Sequence, residues 1–254
     1  MDIAAHPPGT FCFAELQTPD VEASARFYEQ LFGWAVASSP DAGGYMLFRL
    51  GDKDVAGLRR AERGPHRWVP YLAVESAADA AARAQELGAA VLSAPCALQG
   101  LAHVSIVRDP AGGVVGFWEP NGHEGARVLD EPGSIWWAEL LTREVAVAKT
   151  FYAKLLGWRA VDTLKYGIRY SVFKRGHESL AGLLPIGADW GPLAPRWQIL
   201  FAVADCDAAI ARATALGATV VFGPNDIPNA GRGAVIADPF DGIFVVMQPL
   251  AAQT

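Results

Sequence analysis

Apolar and polar positions along this chain follow one pattern that is laid down four times. Residues 11–16 alternate, with Cys12, Ala14 and Leu16 on one face and Phe11, Phe13 and Glu15 on the other, which predicts a strand. The period then becomes helical. Val21, Ala25, Tyr28 and Leu31 share a face, Thr18 stands as the cap, Pro19 suits the first turn, Asp20 suits the dipole and Gly33 stops the run. Strand-like stretches at 34–37, 45–50 and 54–59 complete a βαβββ unit. A second unit opens with a strand at 68–74 and continues with a helix over 76–87, capped by Ser76 and ended by Gly88. Three more strands close it, the last two joined by the tight turn Asp109-Pro110-Ala111-Gly112.

All of these landmarks then return. Phe13, Glu15, Phe27-Tyr28 and Gly33-Trp34 recur at one offset as Trp137, Glu139, Phe151-Tyr152 and Gly157-Trp158. At a slightly larger offset Ala73-Val74, Leu87-Gly88-Ala89, Asp109-Pro110 and Pro120 recur as Ala202-Val203, Leu216-Gly217-Ala218, Asp238-Pro239 and Pro249. An insertion between Gly182-Leu183 and Trp197 accounts for most of the change in offset. Four βαβββ modules predict an α+β chain of two tandem domains, residues 1–121 and 135–254, joined by a linker at 122–134 that holds Gly122, Gly125, Pro132 and Gly133.

A chain of 254 residues that is 52% apolar can bury a core in each half. With 21 basic against 27 acidic residues and no basic run, it offers little to a phosphate backbone, so no nucleic-acid partner is expected. No apolar run approaches the roughly 20 residues that cross a bilayer. The opening MDIAAHPPGT has neither the basic region nor the apolar core of an export signal. A soluble, cytoplasmic protein without membrane contact is expected. Cys12, Cys96 and Cys206 have no metal-ligand spacing and leave one thiol over if two pair, which fits a reducing compartment. A GxSxG elbow, a P-loop and a GxGxxG turn after a strand are all absent.

The stretch Phe13-Ala14-Glu15-Leu16-x-Thr18-Pro19-Asp20, with Phe27-Tyr28-x-x-Leu31-Phe32-Gly33-Trp34 and Asp109-Pro110-x-Gly112, resembles the vicinal oxygen chelate superfamily. That superfamily includes glyoxalase I, bleomycin-resistance proteins and extradiol dioxygenases; the likeness is strongest to its tandem, actinobacterial-type members and covers nearly the whole chain. It implies glyoxalase/bleomycin-resistance/dioxygenase-like domains with cup-shaped mixed sheets, two modules to each. It does not imply one activity, because the scaffold serves isomerases, dioxygenases, resistance proteins and plain binders. Enzymes of the family hold a divalent metal through His, Gln or Glu on the first strand of each module and Glu on the last strand. The matching positions here are Phe13, Val69 and Gly116 in one half and Trp137, Gln198 and Val245 in the other; only Gln198 has a side-chain donor. Neither a metal nor a cofactor is expected.

Strand alternation places Phe13 and Glu15, and Trp137 and Glu139, on the concave faces, with Trp118 beside Gly116 and Met247 beside Val245. Gly116 leaves space where a metal ligand would stand. Further wall candidates are Tyr45, Trp68, His103, Tyr170, Trp197 and Arg232, with His103 and Arg232 at equivalent positions. The expectation is an aromatic pocket with one carboxylate in each half, suited to a flat, partly apolar organic ligand. Glu15, Glu139 and His103 are the candidate catalytic groups, as proton shuttles beside aromatic walls. Alternatively, the carboxylates accept loop amides or pair with arginines, and the aromatics are ordinary core. Residues 187–195, with Trp190, read as a surface loop or a lid. These features point to metal-independent binding of a hydrophobic or aromatic small molecule such as a natural product, for sequestration or as an accessory to its biosynthesis. Alternatives are a metal-free isomerase, cyclase or tailoring enzyme, and, third, metal-dependent glyoxalase or dioxygenase chemistry. Since the second domain supplies the duplicated partner, a monomer is expected, with exposed sheet edges leaving a homodimer open.

Overall fold

The computed structural model describes residues 3–39, 43–61, 66–165 and 168–250. The first module runs β1 (Phe11–Thr18), α1 (Val21–Phe32), β2 (Ala35–Ser39), β3 (Tyr45–Leu50) and β4 (Lys53–Arg60). The second runs β5 (Arg67–Ala73), α2 (Ala77–Glu86), β6 (Ala90–Leu98), β7 (Ala102–Arg108) and β8 (Val114–Pro120). The third is β9 (Ile135–Thr142), α3 (Val145–Leu156), β10 (Arg159–Lys165), β11 (Ile168–Arg175) and β12 (Glu178–Pro185). The fourth is β13 (Arg196–Ala202), α4 (Cys206–Ala215), β14 (Thr219–Ile227), β15 (Gly231–Ala237) and β16 (Ile243–Pro249).

Each half closes its two modules into one eight-stranded sheet. The order is β2-β3-β4-β1-β5-β8-β7-β6 in the first half and β10-β11-β12-β9-β13-β16-β15-β14 in the second. The opening strands of the two modules pair antiparallel at the centre, with Glu15 opposite Val69 and Glu139 opposite Gln198. The closing strands flank them in parallel.

Local signals set the helix ends. Gly33, at φ 72°, ends α1, and Ser76 caps α2 by accepting from Asp79 N at 3.1 Å. The cap of α1 is Asp20, which accepts from Ala23 N at 2.9 Å, and not the expected Thr18. Thr18 Oγ1 instead accepts from Asp20 N at 3.2 Å and bonds Ser24 Oγ at 2.9 Å, which leaves Pro19 outside the helix.

Strict alternation fails at the start of both central strands. The register shifts between Phe11 and Phe13, and again where Phe201 and Leu200 face Ile135 and Trp137. A bulge adds one residue and turns the chain over. Phe11 therefore packs on the helix-covered face against Trp158 and Trp197, at 5.9 and 5.0 Å, while Cys12 joins Phe13 on the concave face. Ile135 likewise enters the helix-side core, and Trp136 sits with Trp137.

The helix-covered faces of the two sheets meet. Tyr28 and Leu31 of α1 pack with Phe48 and Leu58 of their own domain and with Phe201 and Phe244 of the other. Phe151 and Tyr152 of α3 pack with Leu72 and Phe117 in the same way. Polar groups close this interface twice over. Tyr28 OH donates to Asp238 Oδ2 at 2.7 Å and accepts from Trp68 Nε1 at 2.8 Å; Tyr152 OH donates to Asp109 Oδ2 at 2.6 Å and accepts from Trp197 Nε1 at 2.7 Å. The two cups therefore face outward, away from each other. Among the described residues no helix is long and apolar enough to cross a membrane.

Candidate functional site

The first cup is filled by its own side chains. Phe13 lies 4.9 Å from the Trp118 ring, and Tyr71 lies 5.6 Å from it. His123, from the segment after β8, seals the cluster at 5.3 Å from Phe13, and its carbonyl accepts from Trp118 Nε1 at 2.9 Å. Two strand glycines make this packing possible. A Cβ on Gly57 would stand 2.0 Å from Tyr45 OH, and one on Gly116 would stand 2.3 Å from the Tyr71 ring. The space expected at Gly116 is thus occupied by Tyr71. Glu15 is 0% exposed, pairs with Arg59 at 3.0 Å and accepts from Gln17 Nε2 at 2.9 Å. Burial, then the charge of Glu15, pushes the Tyr45 and Tyr71 phenols upward, so both stay protonated. Phe13, Tyr45, Gly116, Trp118 and Glu15 are packed together as core in this cup.

In the second cup Leu200 and Met247 stand where the first has Tyr71 and Trp118, and a cavity of about 630 Å³ opens. Its walls include Trp136, Trp137, Tyr170, Leu200, Val245 and Met247. At its rim Trp190 and Phe222 are 37% and 67% exposed, unusual for large apolar side chains. Trp190 is carried on a 3-10 turn, Ala188–Trp190, and Arg143 holds the following loop by donating to the Gly191 and Leu193 carbonyls at 2.7 Å each.

One end of this cavity is polar. Trp137 Nε1 donates to Tyr170 OH at 3.3 Å, Tyr170 hydrogen-bonds Glu139, and Gln198 Nε2 donates to Glu139 Oε2 at 3.1 Å. Arg196 lies behind, reaching Gln198 Oε1 at 3.5 Å. Burial, then the Glu139 charge, drives the Tyr170 phenol upward, which keeps it a donor toward the carboxylate. The residue matching Arg59, the partner of Glu15, is Leu184, so the two cups hold their carboxylates differently.

Four of the remaining candidates lie outside both cups. Trp68 stands opposite Leu16, and Trp197 opposite Leu140, so both indoles face the helices and enter the interdomain core. His103 stands opposite Glu119, not beside Trp118; it faces outward and meets Glu119 Oε1 at 3.1 Å, while Glu119 Oε2 accepts from Ala77 N at the start of α2. Arg232 sits at the matching place on β15, donating to Asp207 and Asp226. Of the sequence candidates, Trp137, Glu139, Tyr170, Gln198, Val245 and Met247 share the open cup. Sequence reading missed Trp136, which only the bulge turns inward, and Phe222, which belongs to an edge strand. Trp190 was visible as an aromatic in an inserted loop.

The positions at which relatives hold a divalent ion do not fit one here. Phe13, Val69 and Gly116 are walled into the packed cup. Of the three matching positions in the open cup, Trp137 and Val245 offer no oxygen or nitrogen ligand, and Gln198 has only the neighbouring Glu139 carboxylate beside it on the central strands. Among the described residues no three His, Cys, Asp or Glu side chains converge as a metal site.

Family models match both halves. Residues 11–116 match the Glyoxalase-like domain, and residues 134–247 match the Glyoxalase/Bleomycin resistance protein/Dioxygenase superfamily. The chain is 36% identical to the anthracycline biosynthesis protein DnrV of Streptomyces peucetius, over 95% of this chain and 94% of that one. It is 33% identical to the putative glyoxylase CFP32 of Mycobacterium tuberculosis, over 96% and 97%. The Mn(II)-bound glyoxalase of Novosphingobium aromaticivorans has the same fold, with a TM-score of 0.66 at 18% identity over 96% of this chain and 83% of that one. A homoprotocatechuate 2,3-dioxygenase variant from Brevibacterium fuscum superposes with a TM-score of 0.64 at 19% identity, covering 97% and 73%. Fold, repeat and relatives agree, and the chain belongs to the glyoxalase/bleomycin resistance/dioxygenase superfamily as a tandem, two-domain member.

Proposed function

We propose that this protein binds one flat, partly apolar organic molecule in its second cup, without a metal, in the service of natural-product biosynthesis. The observation that carries this reading is the pairing of one filled cup with one open, aromatic-walled cavity of about 630 Å³. Such a volume suits a multi-ring ligand, and indole walls supply stacking area that the polar Glu139–Gln198 end orients. The family metal positions carry too few donors for an ion to organise the site. The name of the relative DnrV, an anthracycline biosynthesis protein, agrees with a polycyclic aromatic ligand.

Because Trp136, Trp137 and Trp190 line the cavity, binding reports itself in tryptophan fluorescence. Chelator-treated protein titrated with a tetracyclic hydroxyanthraquinone should show saturable quenching with one ligand per chain. Trp137→Ala should weaken it at least about tenfold, on the scale of an aromatic wall. Quenching that needs added Mn, Fe, Ni or Zn, or none at all, refutes the reading.

A second reading has its own support in Tyr170 and Gln198, which both hydrogen-bond Glu139 inside the open cup. There Glu139 moves a proton on the bound molecule, as in a metal-free isomerase or cyclase. Glu139→Gln separates the two. Under binding alone, affinity changes less than about threefold, whereas under catalysis turnover is abolished while affinity persists.

A further inference from the structure

A second cavity, of about 310 Å³, lies where the N-terminal segment crosses the start of the second domain. It shares Trp136, Trp137 and Ser179 with the cup, so the paired indoles, 6.4 Å apart, stand between the two spaces. Its character is different. Beyond the indoles its polar lining comes from His6, Thr10, Asp130, Glu178 and Ser179, and neither lysine nor arginine lines it.

That lining is rich in hydrogen-bond acceptors. His6 Nε2 is bonded to the Ala126 carbonyl at 2.8 Å, which uses the ring's N–H and leaves Nδ1 as an acceptor. Burial lowers the affinity of His6 for a second proton, which keeps the ring in that neutral form. The Thr10 hydroxyl already donates to the Pro7 carbonyl at 2.7 Å, so it too faces a guest as an acceptor. Asp130 and Glu178, both at the exposed edge of the cavity, add carboxylates, although Glu178 also pairs with Arg175 at 3.6 Å. A half-buried indole wall beside acceptors favours a saturated ring that stacks its C–H face and donates from its rim. A second flat aromatic ring would satisfy the indole and leave the acceptors unmatched.

We infer that the junction cavity is a subsite for a glycosyl group, so that the molecule held by this protein is an aromatic glycoside with its ring system in the cup and its sugar across the Trp136 wall. This rests on the proposed function of the cup and names the ligand class more closely.

The test is calorimetric titration of the intact chain with a tetracyclic hydroxyanthraquinone and with the same compound carrying one O-linked sugar. The glycoside should bind at least about tenfold more tightly. Ala5→Trp, at an exposed position on the cavity rim, should block the subsite and erase that advantage while leaving aglycone affinity unchanged. Asp130→Asn, conservative at a φ of 63° where Asn is tolerated, should reduce the advantage severalfold. Equal affinities in the unaltered protein, or an advantage that survives both substitutions, overturn the glycosyl subsite and leave the cup intact. Failure of both compounds to bind overturns the cup, and the subsite with it.

Discussion

At the scale of single residues the two halves differ in what a tyrosine leans on. Tyr45 and Tyr170 both lay their hydroxyls over a strand glycine, and a Cβ on Gly57 or on Gly182 would meet the phenol oxygen at 2.0 Å. Either phenol must move if the glycine becomes alanine, and only one has somewhere to go. Tyr45 is 1% exposed among Phe13, Tyr71 and Trp118, so Gly57→Ala should destabilise the protein by about 1–3 kcal/mol, as overpacking does. Tyr170 borders the open cavity and can swing into it. Gly182→Ala should therefore leave the urea midpoint almost unmoved while weakening ligand binding, because the displaced ring occupies the cup. Matched losses of stability in the two variants would show that the second cup is as tightly packed as the first.

Much of this was legible one strand at a time. Alternation correctly put Phe13 with Glu15 and Trp137 with Glu139, because within a regular ladder the facing of each side chain follows from its number. It failed at Phe11, Cys12, Ile135 and Trp136, where one inserted residue reverses the count and nothing in the residue types announces it. Filling was illegible for another reason. Tyr71 and Leu200 are both apolar residues at matching strand positions, and whether a ring closes the cup depends on a glycine at position 116 that lies far away in sequence.

At the scale of elements, the linker does more than join. Residues 122–134 were readable as a connection from their glycines and proline, yet His123 and Ala126 tie this segment down across the first sheet. Ala126 N donates to Cys12 O at 2.8 Å, Arg127 N to Asp54 O at 2.8 Å, and His123 Nε2 meets Asp54 Oδ2 at 3.2 Å. Burial opposes ionisation of Asp54, but hydrogen bonds from His123 and Arg49 outweigh it and hold the carboxyl below its ordinary value of 3.8. A depressed folded value stabilises the fold above the unfolded value, and that stabilisation is lost as pH falls through the folded one. Asp54→Asn should thus cost about 1–2 kcal/mol at neutral pH, with amide exchange quickening over residues 123–127. The difference from the parent should shrink as acid takes the pH below 3.8. A cost that stays constant down the whole acid limb would mean that Asp54 acts by shape and not by charge.

At the scale of the molecule, the motifs that marked the repeat prove to be the interdomain contacts. The Phe-Tyr pair of each opening helix sends its tyrosine to the Asp-Pro turn of the other half, so neither half completes its own polar core. The two ties are not equal. Asp238 Oδ2 also meets His66 Nε2 at 2.6 Å, whereas the position matching His66 is Pro195, packed against Gly112. Tyr152→Phe therefore leaves Asp109 Oδ2 and Trp197 Nε1 buried without their partner and should cost about 1–3 kcal/mol. Tyr28→Phe leaves Asp238 with His66 and should cost roughly half as much. The larger loss should also depend on pH. Burial raises the Asp109 carboxyl above 3.8 even with Tyr152 and two loop amides donating to it, so the ionised form is the costly one in the fold. Stability from this group is full below 3.8 and declines as pH rises through the folded value. Taking away the tyrosine donor moves that value higher still. The penalty of Tyr152→Phe should then be smallest in mild acid and reach its full size near neutrality, read as the change in unfolding free energy by urea titration across that range. If it is instead independent of pH, or if Tyr28→Phe proves the more damaging change, the interface is held by its aromatic packing, and the buried carboxylates serve only their own turns.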